Sequence, residues 1–204
     1  MATSAGTNAE PVTDGRRARR QRGRQAVIDA TLDLVSEGNV PPTVEQMARR
    51  AGVSAASVFR YFDTLDDLRD ATTAVFFDRH AHLFAIPDVG EGPLAARIDT
   101  FVAARVTLYE STAPMARLIR LRAHDQAAAA EMVHRLRTDR ADEVRRHFDA
   151  ELGAMTPTDR DDTATVIATL TSFEAWEQAR HDHRRSAPQL RRAWTAALTR
   201  LLAA

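Results

Sequence analysis

Thr43 to Phe62, TVEQMARRAGVSAASVFRYF, constrains the fold more than any other stretch of this chain. Thr43 and Gln46 have the spacing of a capping box, in which the hydroxyl accepts a free backbone N–H and the amide side chain answers the N–H of the cap residue. A helix therefore starts after Thr43. Val44, Met47 and Ala48 share one helical face, and Glu45, Arg49 and Arg50 lie off it, which predicts a short, half-buried helix. Gly52 can end it in the left-handed conformation without a Cβ penalty. Ser54 supplies a second N-cap, and Val58 with Phe62 one turn on gives the next helix its inward side. The outward side is read as Ala55, Ala56, Ser57, Phe59 and Arg60. Two short helices joined by a tight glycine turn, the second with small residues at its exposed start, make a helix-turn-helix. Small residues at that end let a helix approach base edges in the major groove, with hydroxyls and an arginine as readers.

The same run resembles the DNA-binding signature of TetR-family transcriptional regulators, T-x-x-x-[IVM]-A-x-x-A-G-V-S-x-x-[TS]-[LVF]-[YF]-x-[YH]-F. The likeness extends from Arg24 through Ala74, with Phe59 where the family often has Tyr and Leu65 where it often has Lys. The resemblance implies an all-α chain with an N-terminal three-helix DNA-binding domain and a C-terminal helical bundle for effector binding and dimerisation. It implies a homodimer that binds a palindromic double-stranded DNA operator and releases it, as a repressor, when a small-molecule effector binds; with no long apolar run and no apolar signal core, the expected location is cytoplasmic. A helix-turn-helix protein without an effector is the alternative.

Charge is placed to suit a polyanion. The chain carries 28 Lys+Arg, all of them Arg, against 28 Asp+Glu, so its formal charge is zero. Between Arg16 and Phe62, however, nine arginines (16, 17, 19, 20, 22, 24, 49, 50, 60) face four acids (Asp29, Asp33, Glu37, Glu45), a local excess of five. A basic first quarter on an acidic body suits one face for nucleic acid and another task for the rest. No Cys is present, which excludes disulfides, thiolate metal sites and a Cys nucleophile. No run of about 18 apolar residues suggests a membrane span, and no Gly-rich phosphate loop suggests an enzyme.

Residues 1–15 are polar and aperiodic and are expected to be a disordered tail. Arg16 to Arg24 is either a solvated charge run or an arm that follows phosphates or enters the minor groove, with Arg22 and Arg24 as contacts. Gln25 to Glu37 reads as a first helix that packs behind the motif. The DNA-binding domain is expected over 16–85, with the motif at 43–62 and a linking helix at 64–82 whose apolar side holds Leu68, Ala71, Val75 and Leu83. Thr43, Ser54, Ala55, Ala56, Ser57, Phe59, Arg60 and Tyr61 are its expected DNA contacts.

The breaker-rich stretch from Ile86 to Pro93 marks a boundary. The second domain, 91–204, reads as helices over 94–110, 113–126, 127–152, 158–181 and 188–202, with Pro114 in a first turn. Phe101, Arg105, Tyr109, Met115, Leu118, Phe148, Phe173 and Trp176 line either an effector pocket, as the resemblance implies, or an ordinary core. A buried Arg105 would require an anionic ligand or an internal acid such as Glu174. Leu190, Trp194, Ala197 and Leu201 have the spacing of a dimer seam, though an intrachain core explains part of the same pattern. His80-x-His82 and His181-x-His183 point apart on a helix, so neither pair is expected to chelate, and no metal or cofactor is expected.

Overall fold

Most helix starts in this protein are written in the sequence as caps. In the computed structural model, which describes residues 12–203, Thr43 Oγ1 accepts from Gln46 N at 3.2 Å and Gln46 Oε1 accepts from Thr43 N at 2.7 Å. Thr64 and Asp67 exchange the same pair of bonds at 3.0 and 2.9 Å, as do Ser186 and Gln189 at 3.3 and 2.9 Å. Each box satisfies two N–H groups that the first turn of a helix would otherwise leave unpaired. The described residues form helices and no strand, as the 3.6-residue periodicity predicts.

The chain divides into a unit ending at Arg79 and a unit beginning at His80. The first contains α1 (Val12–Ser36), α2 (Val44–Ala51), α3 (Ala55–Tyr61) and α4 (Leu65–Arg79). Its core joins Val27, Ile28 and Leu34 of α1, Met47 and Ala48 of α2, Val58 of α3, Phe62, and Leu68 of α4. Gly38, at φ 90°, closes α1 by letting Asn39 N–H return to Leu34 O at 2.9 Å. Arg79 of α4 is tied to Asp29 of α1 at 2.5 Å.

The second unit holds a 3₁₀ turn (Ala81–Leu83) and α5 (Leu94–Arg122), α6 (Ala127–His147), α7 (Asp149–Gly153), α8 (Pro157–Leu170), α9 (Phe173–His181) and α10 (Ala187–Leu202). Its core is built on Phe101, Val106, Val144, Phe148, Ile167 and Leu198, each fully inaccessible to solvent.

Several expected boundaries move. Helix α1 begins at Val12, so residues 12–15 of the expected tail are helical, while 1–11 lie outside the described residues. The linking helix stops at Arg79 and not at residue 82, because the backbone tightens to 3₁₀ geometry after His80, and Leu83 packs with the core of the second unit. The two helices expected over 94–110 and 113–126 are one, with Pro114 in its interior. Pro there costs about 3 kcal/mol. Burial of Met115, Leu118 and Ile119 just beyond it, at roughly 1.5–3 kcal/mol each, outweighs that cost.

Two expected helices are instead divided. The 127–152 helix breaks at Phe148, where Arg97 Nη1 donates to His147 O at 2.9 Å and so takes an acceptor that the continuing helix would have used. Arg97 also binds Glu151 and so holds both sides of the break, while its Nε donates to Gly92 O at 3.0 Å. The 158–181 helix breaks at Thr171, whose carbonyl accepts the Tyr109 hydroxyl at 2.9 Å. Ser172 then caps α9, accepting from Ala175 N at 3.1 Å.

Candidate nucleic-acid interface

Helices α2 and α3 form the helix-turn-helix that the sequence predicts. Gly52, at φ 68° and ψ 30°, ends α2 and donates to the Ala48 and Arg49 carbonyls. Two residues on, Ser54 Oγ accepts from Ser57 N at 3.2 Å and starts α3. Val58 and Phe62 point into the core at 1% and 3% exposure, which fixes the opposite side of α3 outward. There Ala56 and Arg60 are exposed, and Phe59 is 54% exposed, unusually open for an aromatic side chain. Ala55 departs from the expected outward group, since it is half-buried against the core of the first unit.

The polar groups on this side are already linked. Ser54 Oγ lies 3.0 Å from Ser57 Oγ, and Arg60 Nη2 donates to Ser57 Oγ at 3.0 Å. The Arg60 guanidinium sits 5.6 Å from the Tyr61 ring centroid. Thr43 is exposed at the start of α2, so hydroxyls stand at the N-terminal ends of both helices, where the dipole favours an anion. Arg50 is committed elsewhere: it makes a bidentate contact with Glu37 at 2.8 and 2.6 Å, which holds the Glu37 carboxyl below its usual range.

The basic run is helical, not an extended arm. Arg16, Arg17, Arg19, Arg20 and Arg22 are exposed along α1, and Arg24 is half-buried with its guanidinium 4.8 Å from the Phe62 ring centroid. A helix about 10 Å across does not enter a minor groove about 6 Å wide, so this segment as folded suits phosphates along the rim.

One residue of this surface is not anticipated from sequence. Gly23 of α1 lies under Tyr61, and a Cβ built on it would stand 2.4 Å from Tyr61 Cζ. A glycine inside the otherwise strongly helical RRARRQRGRQ run is the signal that points to a close approach.

The residues expected to line a pocket are all buried in the second unit. Phe101, Tyr109, Phe148, Phe173 and Trp176 belong to its main core cluster. Tyr109 packs edge-on to Phe173 at 5.7 Å, and Trp176 Nε1 donates to Glu110 at 3.1 Å. Arg105 is buried, and its acid is Glu143, 2.7 Å away, and not Glu174, which pairs with Arg120 and Arg137 at 3.0 and 2.6 Å. Of the residues expected to form a dimer seam, Leu190 and Trp194 are buried within their own unit, and Ala197 and Leu201 are partly exposed. Leu190, Trp194 and Ala197 line an open groove of about 570 Å³, together with Leu170, Ala179, His183, Arg185 and Ala193.

His181 Nε2 lies 2.6 Å from Arg117 Nη2, and His183 borders the groove. Glu131 and His134 have a spacing known from metal sites but are both exposed on α6, and no group of three or more His, Cys, Asp or Glu that could hold a metal occurs among the described residues. No helix among them is long and apolar enough to cross a membrane.

Residues 27–79 match the family model described as bacterial regulatory proteins, tetR family. The HTH-type transcriptional regulator BetI of Klebsiella pneumoniae (strain 342) is 46% identical over 50 residues, which is 24% of this chain and 26% of that protein. The chain thus spans about a quarter of the length of this curated relative. The fold as a whole resembles SCO7518 of Streptomyces coelicolor A3(2), a solved structure described as a candidate transcriptional regulator, with a TM-score of 0.56 and 21% identity over 90% of this chain and 99% of that one. The helix-turn-helix signature, its geometry and the family match all coincide in the first unit, whose residues 27–79 are similar to the bacterial regulatory proteins of the tetR family.

Proposed function

We propose that this protein is a homodimeric transcriptional repressor that binds a palindromic or near-palindromic operator and leaves it when a small-molecule effector binds. The observation that carries the DNA-binding part is α3: capped by Ser54, anchored by Val58, and presenting Ala56, Phe59 and Arg60 to solvent. Arg60 is the base or phosphate reader, Thr43, Ser54 and Ser57 serve phosphates at helix N-termini, and Arg22 with Arg24 adds contacts from α1. Tyr61 offers its hydroxyl to a phosphate. Two such units place their reading helices in successive major grooves, about 34 Å apart.

Dimerisation is assigned to the outer sides of α8 and α10. Val166 of α8 is 49% exposed, and Ala193 and Ala197 of α10 border the open groove, a surface suited to close helix packing. The effector part draws support from the buried charge cluster at Arg105, treated below. The burial of Phe101, Phe148 and Trp176 in a continuous core favours the second reading, a DNA-binding protein with no effector.

A duplex selected from a random pool tests the assignment by fluorescence anisotropy. Tight, steeply salt-dependent binding is expected, and Arg60→Ala should weaken it by about 1–3 kcal/mol. A protein that selects no duplex at low salt, or an Arg60→Ala variant with unchanged affinity, would remove respectively the function or the role of Arg60. Sedimentation of a one-to-one protomer–duplex complex would overturn the dimer.

A further inference from the structure

Two arginines in the second unit share one acid. Arg105 Nη1 lies 2.7 Å from Glu143 Oε2, and Arg140 Nη2 lies 3.1 Å from Glu143 Oε1. The three side chains are 2%, 17% and 9% exposed in the order Arg105, Arg140, Glu143. Two guanidiniums against one carboxylate leave a positive charge where water has little access, a costly arrangement unless more negative charge is at hand. Burial, and next the charge of Arg105, push the Arg140 pKa down, and the smaller opposing pull of Glu143 and Asp139 does not offset them.

Hydrogen bonding is incomplete in the same place. Arg105 Nη2 donates to Arg140 O at 3.2 Å and Arg140 Nη1 to Phe84 O at 3.0 Å, yet the Nε of each arginine is buried without a partner. Glu143 Oε2 also makes no hydrogen bond, because Arg105 approaches it within ion-pair distance but at a poor angle. Four buried side-chain nitrogen or oxygen atoms lack a partner among the described residues, and three belong to this cluster. Buried polar groups are nearly always paired, so their concentration at one spot indicates a missing component. Two of the three, the Arg105 and Arg140 Nε atoms, need an acceptor, and the surplus positive charge beside them favours one that carries negative charge.

The surroundings narrow it further. The Arg105 guanidinium lies 4.9 Å from the Phe101 ring centroid and that of Arg140 5.8 Å from the Phe84 ring centroid. The Tyr109 hydroxyl is already committed to Thr171 O. Apolar walls around a cationic end suit an organic anion with an apolar body better than an inorganic ion.

We propose that Arg105 and Arg140 form the anion-recognising end of a ligand site that takes the carboxylate of a small apolar organic acid, with Glu143 as their internal counter-ion. This deepens the effector-controlled regulator proposed above by naming the chemical class of the effector.

Full-length protein titrated with sodium benzoate tests the site, with sodium chloride as the ionic-strength control and benzamide as the neutral isostere. Benzoate is expected to raise the melting temperature saturably and to give a calorimetric isotherm, and benzamide to do neither. Glu143→Gln leaves both cations without their acid and should bind benzoate about tenfold more tightly or better. Arg105→Met, which fills similar space without charge, should lose the response. If that variant does not fold, wild type and Glu143→Gln still decide. Absence of a benzoate response in both, or an equal response to benzamide, overturns the site, as does a structural water fully satisfying both Nε atoms in a protein that ignores benzoate. Benzoate binding that leaves DNA affinity unchanged keeps the anion site and overturns its role as effector site. Failure of the ligand-free protein to bind any duplex defeats the regulator reading alone.

Discussion

Replacing Gly23 by alanine separates stability from DNA binding, because it should leave the first nearly unchanged and weaken the second. A Cβ at residue 23 would lie 2.4, 2.5 and 2.8 Å from Tyr61 Cζ, Oη and Cε2. Carbon atoms rest at about 3.5–4.0 Å, so the tip of the ring must retreat by roughly 1 Å or more. The clash is with the far end of a half-buried side chain, which can swing, so the fold survives. Alanine is favoured over glycine in a helix interior by about 1 kcal/mol, and an off-rotamer tyrosine costs about 0.5–1.5 kcal/mol. Net stability should therefore stay within about 1 kcal/mol of wild type. A tyrosine hydroxyl bonded to a charged phosphate contributes roughly 1.5–3 kcal/mol, so its displacement should weaken operator binding by about 10- to 150-fold. Anisotropy against the selected duplex and a thermal melt read the two quantities. In a Tyr61→Ala background the same substitution should cost no further affinity, a non-additivity that a double-mutant cycle measures. Full affinity in Gly23→Ala, or additive losses in the double variant, would refute the placement of Tyr61 as a DNA contact.

Two further outcomes follow from the second unit. Tyr109→Phe removes the donor to Thr171 O, within a residue only 1% exposed, and should destabilise the protein by about 1–3 kcal/mol; an unchanged melting temperature would show that the α8–α9 break does not depend on that bond. His147 is fully buried, with Gly90 N–H donating to Nδ1 at 3.4 Å and Nε2 at 3.0 Å from Arg97 O, and burial pushes its pKa below the usual range. The folded state then binds fewer protons than the unfolded chain, so the stabilisation is complete above about pH 6.5 and is lost as pH falls below it. The melting temperature should fall between pH 7.5 and 5.0, and His147→Gln should flatten that fall; equal slopes for the two proteins would refute it.

Much of the first unit was legible because its determinants are local. A capping box, a left-handed glycine and a hydroxyl cap act over three or four residues, so Thr43, Gln46, Gly52 and Ser54 announce α2 and α3 before any tertiary contact is considered. The Ser186-Gln189 and Thr64-Asp67 boxes obey the same rule. Thr72 and Thr73 were hidden by their polarity: each is buried in α4 because its hydroxyl donates back to a carbonyl four residues earlier, at 2.8 Å.

By itself, then, the sequence determined the helical class, the helix-turn-helix and the basic character of the first quarter, since period, caps and charge are properties of neighbouring residues. Tertiary structure alone decided where long helices stop and which charges meet. The breaks at Phe148 and Thr171 depend on Arg97 and Tyr109, which lie 50 and 62 residues away in sequence from the groups they bind. Glu143 rather than Glu174 became the partner of Arg105, and Gly23 came to lie under Tyr61, through the packing of different helices. Spacing along one helix carries no record of what another helix brings to its side, and the energy of a buried bond depends on that meeting.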